Sequence, residues 1–435
     1  MIPTQDEAVA VATTVMELLR AERFSEIEEL FAPRLAAAVS ADTVRLGWMS
    51  ETARIGSVRG LGAITTAPLH DELMLAKIPV NGDNSGIEVH ISVDDAGRLH
   101  GFRLAPPSES DWTPPKYATP RRFTEREVTL GSGPHAVSGT LTLPKGDRPR
   151  PGVVLIASGP NNRDVTTGPN KPFKDLAWGL ASRGVAVVRF DKIGHVHAGV
   201  ENVPGYTMVE EYLPHALAGA RLLREQPGVD RVYLAGHSGG GKAAVRAAAA
   251  EPSIAGVIIM AGDTVPLPRS IMRTIDYLTE LEPDPAPEMK TVAEATARAA
   301  AATEDPGLSP DTPGSELLFG MPASYWLDMR AFDQVATAAA LERPILILQG
   351  GRDYQVTLAE DLAGWRAGLA GHPDTTIRIL EADDHMFFRG SGRSTPADYQ
   401  APQHVDPEAV AAIADWLAPA RDRGRIARLL NHLAR

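Results

Sequence analysis

The chain contains no cysteine. Disulfides, thiolate catalysis, iron–sulfur clusters and cysteine-held zinc are therefore excluded. It also lacks basic surplus: 43 Lys and Arg stand against 55 Asp and Glu, and a net charge of −12 repels polyanions. Neither nucleic acid nor an anionic membrane is an expected partner. No apolar run reaches the length of a transmembrane helix, and the first residues have neither the basic nor the apolar region of a signal peptide. A cytoplasmic location is the expectation, and no internal repeat is visible. What is present is ordinary for a globular protein, 43% hydrophobic and 23% charged, and 435 residues suffice for two domains or one decorated one.

Residues 4 to about 40 carry helical periodicity, with Val9, Val11, Val15, Met16, Leu18 and Leu19 in one apolar stripe and Phe24, Ile27, Leu30, Phe31 and Leu35 in another. After less regular sequence come three alternating, strand-like runs starting at Leu73, Gly86 and Leu99, with Asn81-Gly82-Asp83 and Asp94-Asp95-Ala96-Gly97 as turns. Two or three helices before an antiparallel sheet predict a small α+β domain over residues 1–105. It holds no catalytic cluster, so a packing or dimerisation module is expected. Prolines 106, 107, 114, 115 and 120 mark a linker over 106–122.

From Phe123 the pattern alternates strand and helix: a starting hairpin near 127–143, an apolar strand at 151–157, helix 173–183, strand 185–191, helix 208–225, strand 231–236 and strand 255–261. Such alternation predicts a doubly wound, mostly parallel α/β sheet over 123–435. The rhythm breaks at about 263–342, where helical pieces replace strands. An insertion there projects over the strand C-termini and is a candidate lid. Its Tyr325 and Trp326 are candidate substrate contacts, as well placed to glue lid to sheet. Strands resume at 344–349 and 376–380, and a helix begins near Pro407. The basic, amphipathic stretch 421–435 is expected to dock as a terminal helix.

One stretch organises the rest. Gly236-His237-Ser238-Gly239-Gly240 matches G-x-S-x-G between an apolar strand and an alanine-rich helix. A serine on so sharp a turn has strained torsions, and the flanking glycines let strand and helix approach. The helix N-terminus points its free N–H groups at the serine. A serine hydroxyl needs an adjacent base oriented by a carboxylate. Asp353 follows the 344–349 strand and His385 follows the 376–380 strand, giving the order Ser, Asp, His, with each residue just past a strand. Asp353 would fix the imidazole tautomer, and His385 would take and return the serine proton. Asp383 and Asp384 lie too close in sequence to reach the far nitrogen of His385 easily. His237, beside the serine, suits a packing role. His195 and His197 have a metal-like spacing but no completing carboxylates, so no metal or cofactor is expected, and they are placed at the mouth of the cavity. The oxyanion hole needs two backbone N–H groups. Gly239 supplies one, and Ser158 or Gly159 the other, because Pro160 has none. Asn161 and Asn162 are candidate side-chain donors toward substrate, or turn stabilisers.

From about residue 121 to 418 the sequence resembles serine-dependent α/β-hydrolases whose oxyanion loop reads roughly HGSGP-x-x-RD, here residues 156–164. Residues 350–357 and Tyr325-Trp326 resemble that family's acid loop and lid. The N-terminal segment resembles a small uncharacterised domain, DUF3887, that is similar to NTF2-like folds. The resemblance implies a carboxylesterase or related acyl hydrolase with Ser238, Asp353 and His385 as triad. In place of the family's HG the oxyanion loop has Ile156-Ala157, and its usual DKRG-x-G loop reads Asp191-Lys192-Ile193-Gly194-His195-Val196-His197. Hydrolysis of a small-molecule ester, thioester or lactone is the leading expectation. Acyl transfer or cyclisation by the same triad, and a non-catalytic binder on a hydrolase scaffold, are its rivals. A peptidase reading lacks an acidic pair clearly placed to hold a peptide amino terminus.

Overall fold

Two separate sheets organise the computed structural model, which describes residues 3–69, 72–83, 86–105, 112–146, 148–197, 199–203, 205–282 and 287–418. The N-terminal unit opens with helices α1 (Gln5–Arg20), α2 (Phe24–Glu29), α3 (Pro33–Ala36) and α4 (Ala41–Ile55). Five antiparallel strands follow, β1 (Val58–Leu61), β2 (Thr65–Pro68), β3 (Met74–Gly82), β4 (Gly86–Val93) and β5 (Leu99–Ala105). Thr4 and Glu7 form a reciprocal capping box that starts α1. Its buried Ala8, Ala12, Val15, Met16 and Leu19 recur at helical spacing and pack toward β3 and β4. Ile78, Val80, Val89 and Ile91 complete a core of this unit's own.

Helix α4 and strands β1 and β2 go beyond the sequence expectation. The apolar residues of α4 do not line one face, so no stripe announces it, yet Ser40 caps its first turn through the Thr43 amide. Strands β1 and β2 are four residues each and only partly buried, which leaves little alternation to read.

The second sheet comprises β6 (Phe123–Leu130), β7 (Val137–Pro144), β8 (Arg150–Ile156), β9 (Ala186–Phe190), β10 (Val229–His237), β11 (Val257–Met260), β12 (Ile345–Gly350) and β13 (Thr375–Leu380). Its spatial order is β6-β7-β9-β8-β10-β11-β12-β13. The β6–β7 and β7–β9 pairs are antiparallel and the others parallel. Strands such as β12 are buried throughout because helices cover both faces. Helices α5 (Pro172–Ser182), α6 (Ile193–Val196), α7 (Met208–Arg224) and α8 (Gly239–Ala250) lie between β8 and β11 in the chain. Two apolar cores sandwich the sheet, one including residues of α7 and α8, the other residues of α5 and the last helix.

Between β11 and β12 the chain makes α9 (Leu267–Leu281), α10 (Pro287–Glu304), α11 (Ala323–Ala331) and α12 (Gln334–Ala339), with no strand among the described residues. Arg246 of α8 grips Asp328 of α11 with two nitrogens at 2.6 and 2.7 Å, and α10 packs against both α9 and α4. After β12 come α13 (Ala363–Gly368) and, past β13, α14 (Pro407–Leu417), which packs on α5. The described linker residues lie on that pair: Trp112 donates to Asp175, and Tyr117 to the Val405 carbonyl. The expected tail helix at 421–435 and the start of the linker, 106–111, lie outside the described residues. Among the described residues no helix is long and apolar enough to cross a membrane.

Candidate active site

Ser238 joins β10 to α8 with φ +55° and ψ −129°, a conformation that L side chains avoid and that only a tightly packed surround maintains. The glycines explain how. A Cβ on Gly236 would collide with the Gly240 carbonyl, and one on Gly240 with the Ile156 carbonyl of β8. Only residues without a Cβ let strand, turn and helix approach this closely. The first amides of α8 have no intrahelical acceptor, so Gly239 and Gly240 turn their N–H groups out of the helix beside the serine.

Asp353 and His385, the expected acid and base, sit past β12 and β13. His385 Nδ1 lies 2.8 Å from Asp353 Oδ2, and both side chains are buried. An ionised carboxylate only accepts, so Nδ1 carries the proton and Nε2 keeps its lone pair. Asp353 is itself fixed: Oδ1 accepts from the Gln355 and Val356 amides, both at 2.9 Å, and Oδ2 accepts from Gln349 Nε2 at 3.1 Å. Burial opposes a charge on His385, but the Asp353 carboxylate and its hydrogen bond prevail and hold the imidazole above its ordinary pKa. Asp384 is committed locally, accepting from the Met386 and Phe388 amides, and Asp383 sits beside Asp406. His237 is pushed down to about 3 by burial and then by the neighbouring His385, and its Nε2 donates to the His385 carbonyl.

The loop after β8 closes over the elbow. Ser158 Cβ lies 3.5 Å from where a Cβ on Gly239 would stand, so the two residues abut. The Gly159 amide is within hydrogen-bonding reach of the Tyr212 hydroxyl of α7. Asn161 donates to the Ser158 carbonyl at 2.7 Å, while Asn162 Oδ1 accepts from the Asp164 and Thr166 amides. Both asparagines thus hold the loop. Tyr325 is buried, with its hydroxyl 2.6 Å from Glu211 Oε2. Glu211 also pairs at 3.1 Å with the fully buried Lys192, which burial, opposed by Glu211, brings down to about 8. His195 accepts a hydrogen bond from Arg103 of β5, and His197 donates to the Ala136 carbonyl.

A cavity of about 720 Å³ opens between the insertion and α8, lined by residues including Lys242, Leu267, Trp326, Met329, Phe332 and Gln334, and none of Ser238, Asp353 and His385 lines it. Lys242 stands one helical turn beyond Ser238 and pairs with buried Asp263 at 2.9 Å. Trp326 therefore faces a cavity, whereas Tyr325 faces Glu211. No group of three or more metal-ligating side chains is assembled among the described residues. Sequence reasoning missed Gln349, Tyr212, Glu211 and Arg103. None belongs to a local motif, and their partners come from distant strands and helices.

The sheet order, the elbow on the strand at its centre and the Asp–His pair past β12 and β13 define an α/β-hydrolase. Residues 170–390 match the serine aminopeptidase S33 family. Esterase EstD of Thermotoga maritima is 31% identical over 403 residues, 92% of each chain. The chain belongs to the α/β-hydrolase family and is a hydrolase of the esterase type. Solved structures that resemble it include an esterase of Pyrococcus furiosus, with TM-score 0.45 and 17% identity over 64% of this chain and 88% of that one. Another is Est1E of Butyrivibrio proteoclasticus, with TM-score 0.40 and 17% identity over 60% and 90%.

Proposed function

We propose that the protein hydrolyses a small carboxylic ester, thioester or lactone through an acyl-enzyme on Ser238. The observation that carries this reading is the 2.8 Å contact between His385 Nδ1 and Asp353, with His385 tied through its carbonyl to His237, the residue before Ser238 on the strained elbow. With Nδ1–H committed to the carboxylate, Nε2 of His385 is the base. It accepts the Ser238 proton as Oγ bonds to the substrate carbonyl carbon. The Gly239 amide and that of Ser158 or Gly159 stabilise the resulting oxyanion. His385 then returns the proton to the leaving oxygen or sulfur as that bond breaks. Water, deprotonated by the same nitrogen, attacks the acyl-enzyme and releases the acid. The helical insertion acts as a lid over the substrate. Helices preceding an antiparallel sheet support reading the N-terminal unit as the DUF3887-like, NTF2-related domain.

Turnover of a chain-length series of p-nitrophenyl esters tests the reading. Wild-type protein should release free acid, and Ser238→Ala should lose about 10⁴-fold or more in kcat. Ester cleavage at the wild-type rate by that variant would remove Ser238 from the mechanism. Products made only with an added alcohol would make water the wrong acceptor.

A further inference from the structure

Arg103 leaves the N-terminal unit from β5 and ends inside the hydrolase unit. Its Nη1 donates to the Pro160 carbonyl at 3.1 Å and to the Gly194 carbonyl at 3.0 Å. Its Nη2 reaches His195 Nδ1 at 2.7 Å and His90 Nδ1 at 3.3 Å. His90 is anchored in turn by Glu88, with Nε2 2.8 Å from Oε2. One guanidinium therefore bridges the loop after β8 to the segment after β9, and ties both to the small domain.

Two features separate this from an ordinary interdomain contact. Among the described residues no carboxylate forms an ion pair with Arg103. The direct partners of this half-buried guanidinium are carbonyls and imidazoles, and the carboxylates of Glu201, Glu88 and Asp191 offset its charge from farther away. The carbonyls it holds are also specific. Pro160 follows Ser158 and Gly159, one of whose amides is the proposed second oxyanion donor. His195 bonds to the same Pro160 carbonyl, and Lys192 N donates to the Asn161 carbonyl. The loop carrying the donors is thus braced on its far side by residues 192–195, and Arg103 clasps loop and brace together.

The small domain grips the hydrolase unit elsewhere too. Arg34 donates to the Asn202 carbonyl, a Cβ on Gly199 would meet the His100 carbonyl at 2.7 Å, and α4 packs on α10. These contacts fix where Arg103 enters.

We propose that Arg103 is a positioning residue for the oxyanion loop, so that the N-terminal domain completes the active site. This rests on the reading that the Ser158 or Gly159 amide and that of Gly239 bind the oxyanion. Arg103 touches neither substrate nor triad. It acts by holding the Pro160 carbonyl, which sets the direction of the donors one and two residues earlier. Because these amides matter most at the transition state, their misplacement lowers kcat more than it raises KM.

The test compares full-length Arg103→Ala and Arg103→Lys with wild type, using ester turnover and amide exchange of residues 157–162. A displacement of about 1 Å at such a donor costs on the order of 10²-fold. Arg103→Ala should therefore lose about 10- to 100-fold in kcat with KM nearly unchanged, and 157–162 should exchange faster. Added methylguanidinium should restore part of kcat, which general destabilisation would not permit. Arg103→Lys, whose single ammonium cannot span two carbonyls and an imidazole, should fall between, and it carries the test if the alanine variant does not fold. Wild-type kcat in both variants, or a loss confined to KM, overturns the proposal. If wild type cleaves no ester, the esterase reading fails separately. Amide exchange then decides alone, and unchanged exchange at 157–162 overturns the role of Arg103.

Discussion

The imidazole of His237, the residue before Ser238, donates its Nε2–H to the backbone carbonyl of His385 at 2.7 Å, and the two rings lie 4.7 Å apart between centroids. The strand that leads into Ser238 thus holds the loop that carries His385. The bond is buried, so its loss leaves an unsatisfied carbonyl where water does not easily replace the donor. His237→Ala should lower kcat by about 10-fold and thermal stability by on the order of 1–3 kcal/mol. Turnover together with a melting curve checks both, and an unchanged kcat would show that His385 needs no such anchor.

Asp353→Asn should separate orientation from charge. On the proposed mechanism His385 works as base only when neutral. Its pKa is held above the ordinary histidine value by Asp353 against the opposing effect of burial, so kcat/KM should rise through a pKa on the high side for histidine. Asparagine removes the charge and can present its amide to Nδ1, which selects the wrong tautomer. We expect kcat to fall by about 10⁴-fold and the residual acid limb to move to lower pH. A pH–rate profile of the two proteins measures this.

Glycine at 240 is a steric requirement. Gly240→Ala would press a methyl group into the backbone carbonyl of Ile156, which cannot rotate away as a side chain can. The variant should lose about 2 kcal/mol or more in urea unfolding, and ester turnover with it. Wild-type stability would mean that the elbow is looser than this packing implies.

Asp383 predicts a pH dependence of stability. Burial first, and then Asp406 beside it, push its carboxyl from 3.8 up to about 8. Between pH 4 and 8 the folded protein holds a proton that the unfolded chain has released. This contribution is therefore complete in acid and is lost as pH rises toward 8. Asp383→Asn removes the ionisable group, so its Tm should exceed that of wild type by an amount that grows from pH 5 to pH 8. A constant difference would place the titration elsewhere.

These predictions also show what the chain reveals before it folds. The elbow was legible because strand, glycines and helix are contiguous, and the sterics of G-x-S-x-G are local. The positions of Asp353 and His385 were legible because each lies in the loop after a strand-like run, one apolar and buried, the other alternating. Helix α4 was not, because its apolar residues do not share a face. The contacts around the site were illegible for another reason. Arg103 in β5 and Pro160 in the loop after β8 are 57 residues apart, and nothing near either residue signals the other. Tyr325 and Trp326, adjacent in sequence, point to different places, one to Glu211 and one to the cavity. Only packing of the insertion against α7 and α8 decides that division.

Intact-mass analysis after incubation with a fluorophosphonate tests the central claim most directly, with Ser238→Ala alongside. The account predicts one adduct per wild-type chain and none on the variant. An unmodified wild-type chain, or an adduct that persists in Ser238→Ala, would contradict it.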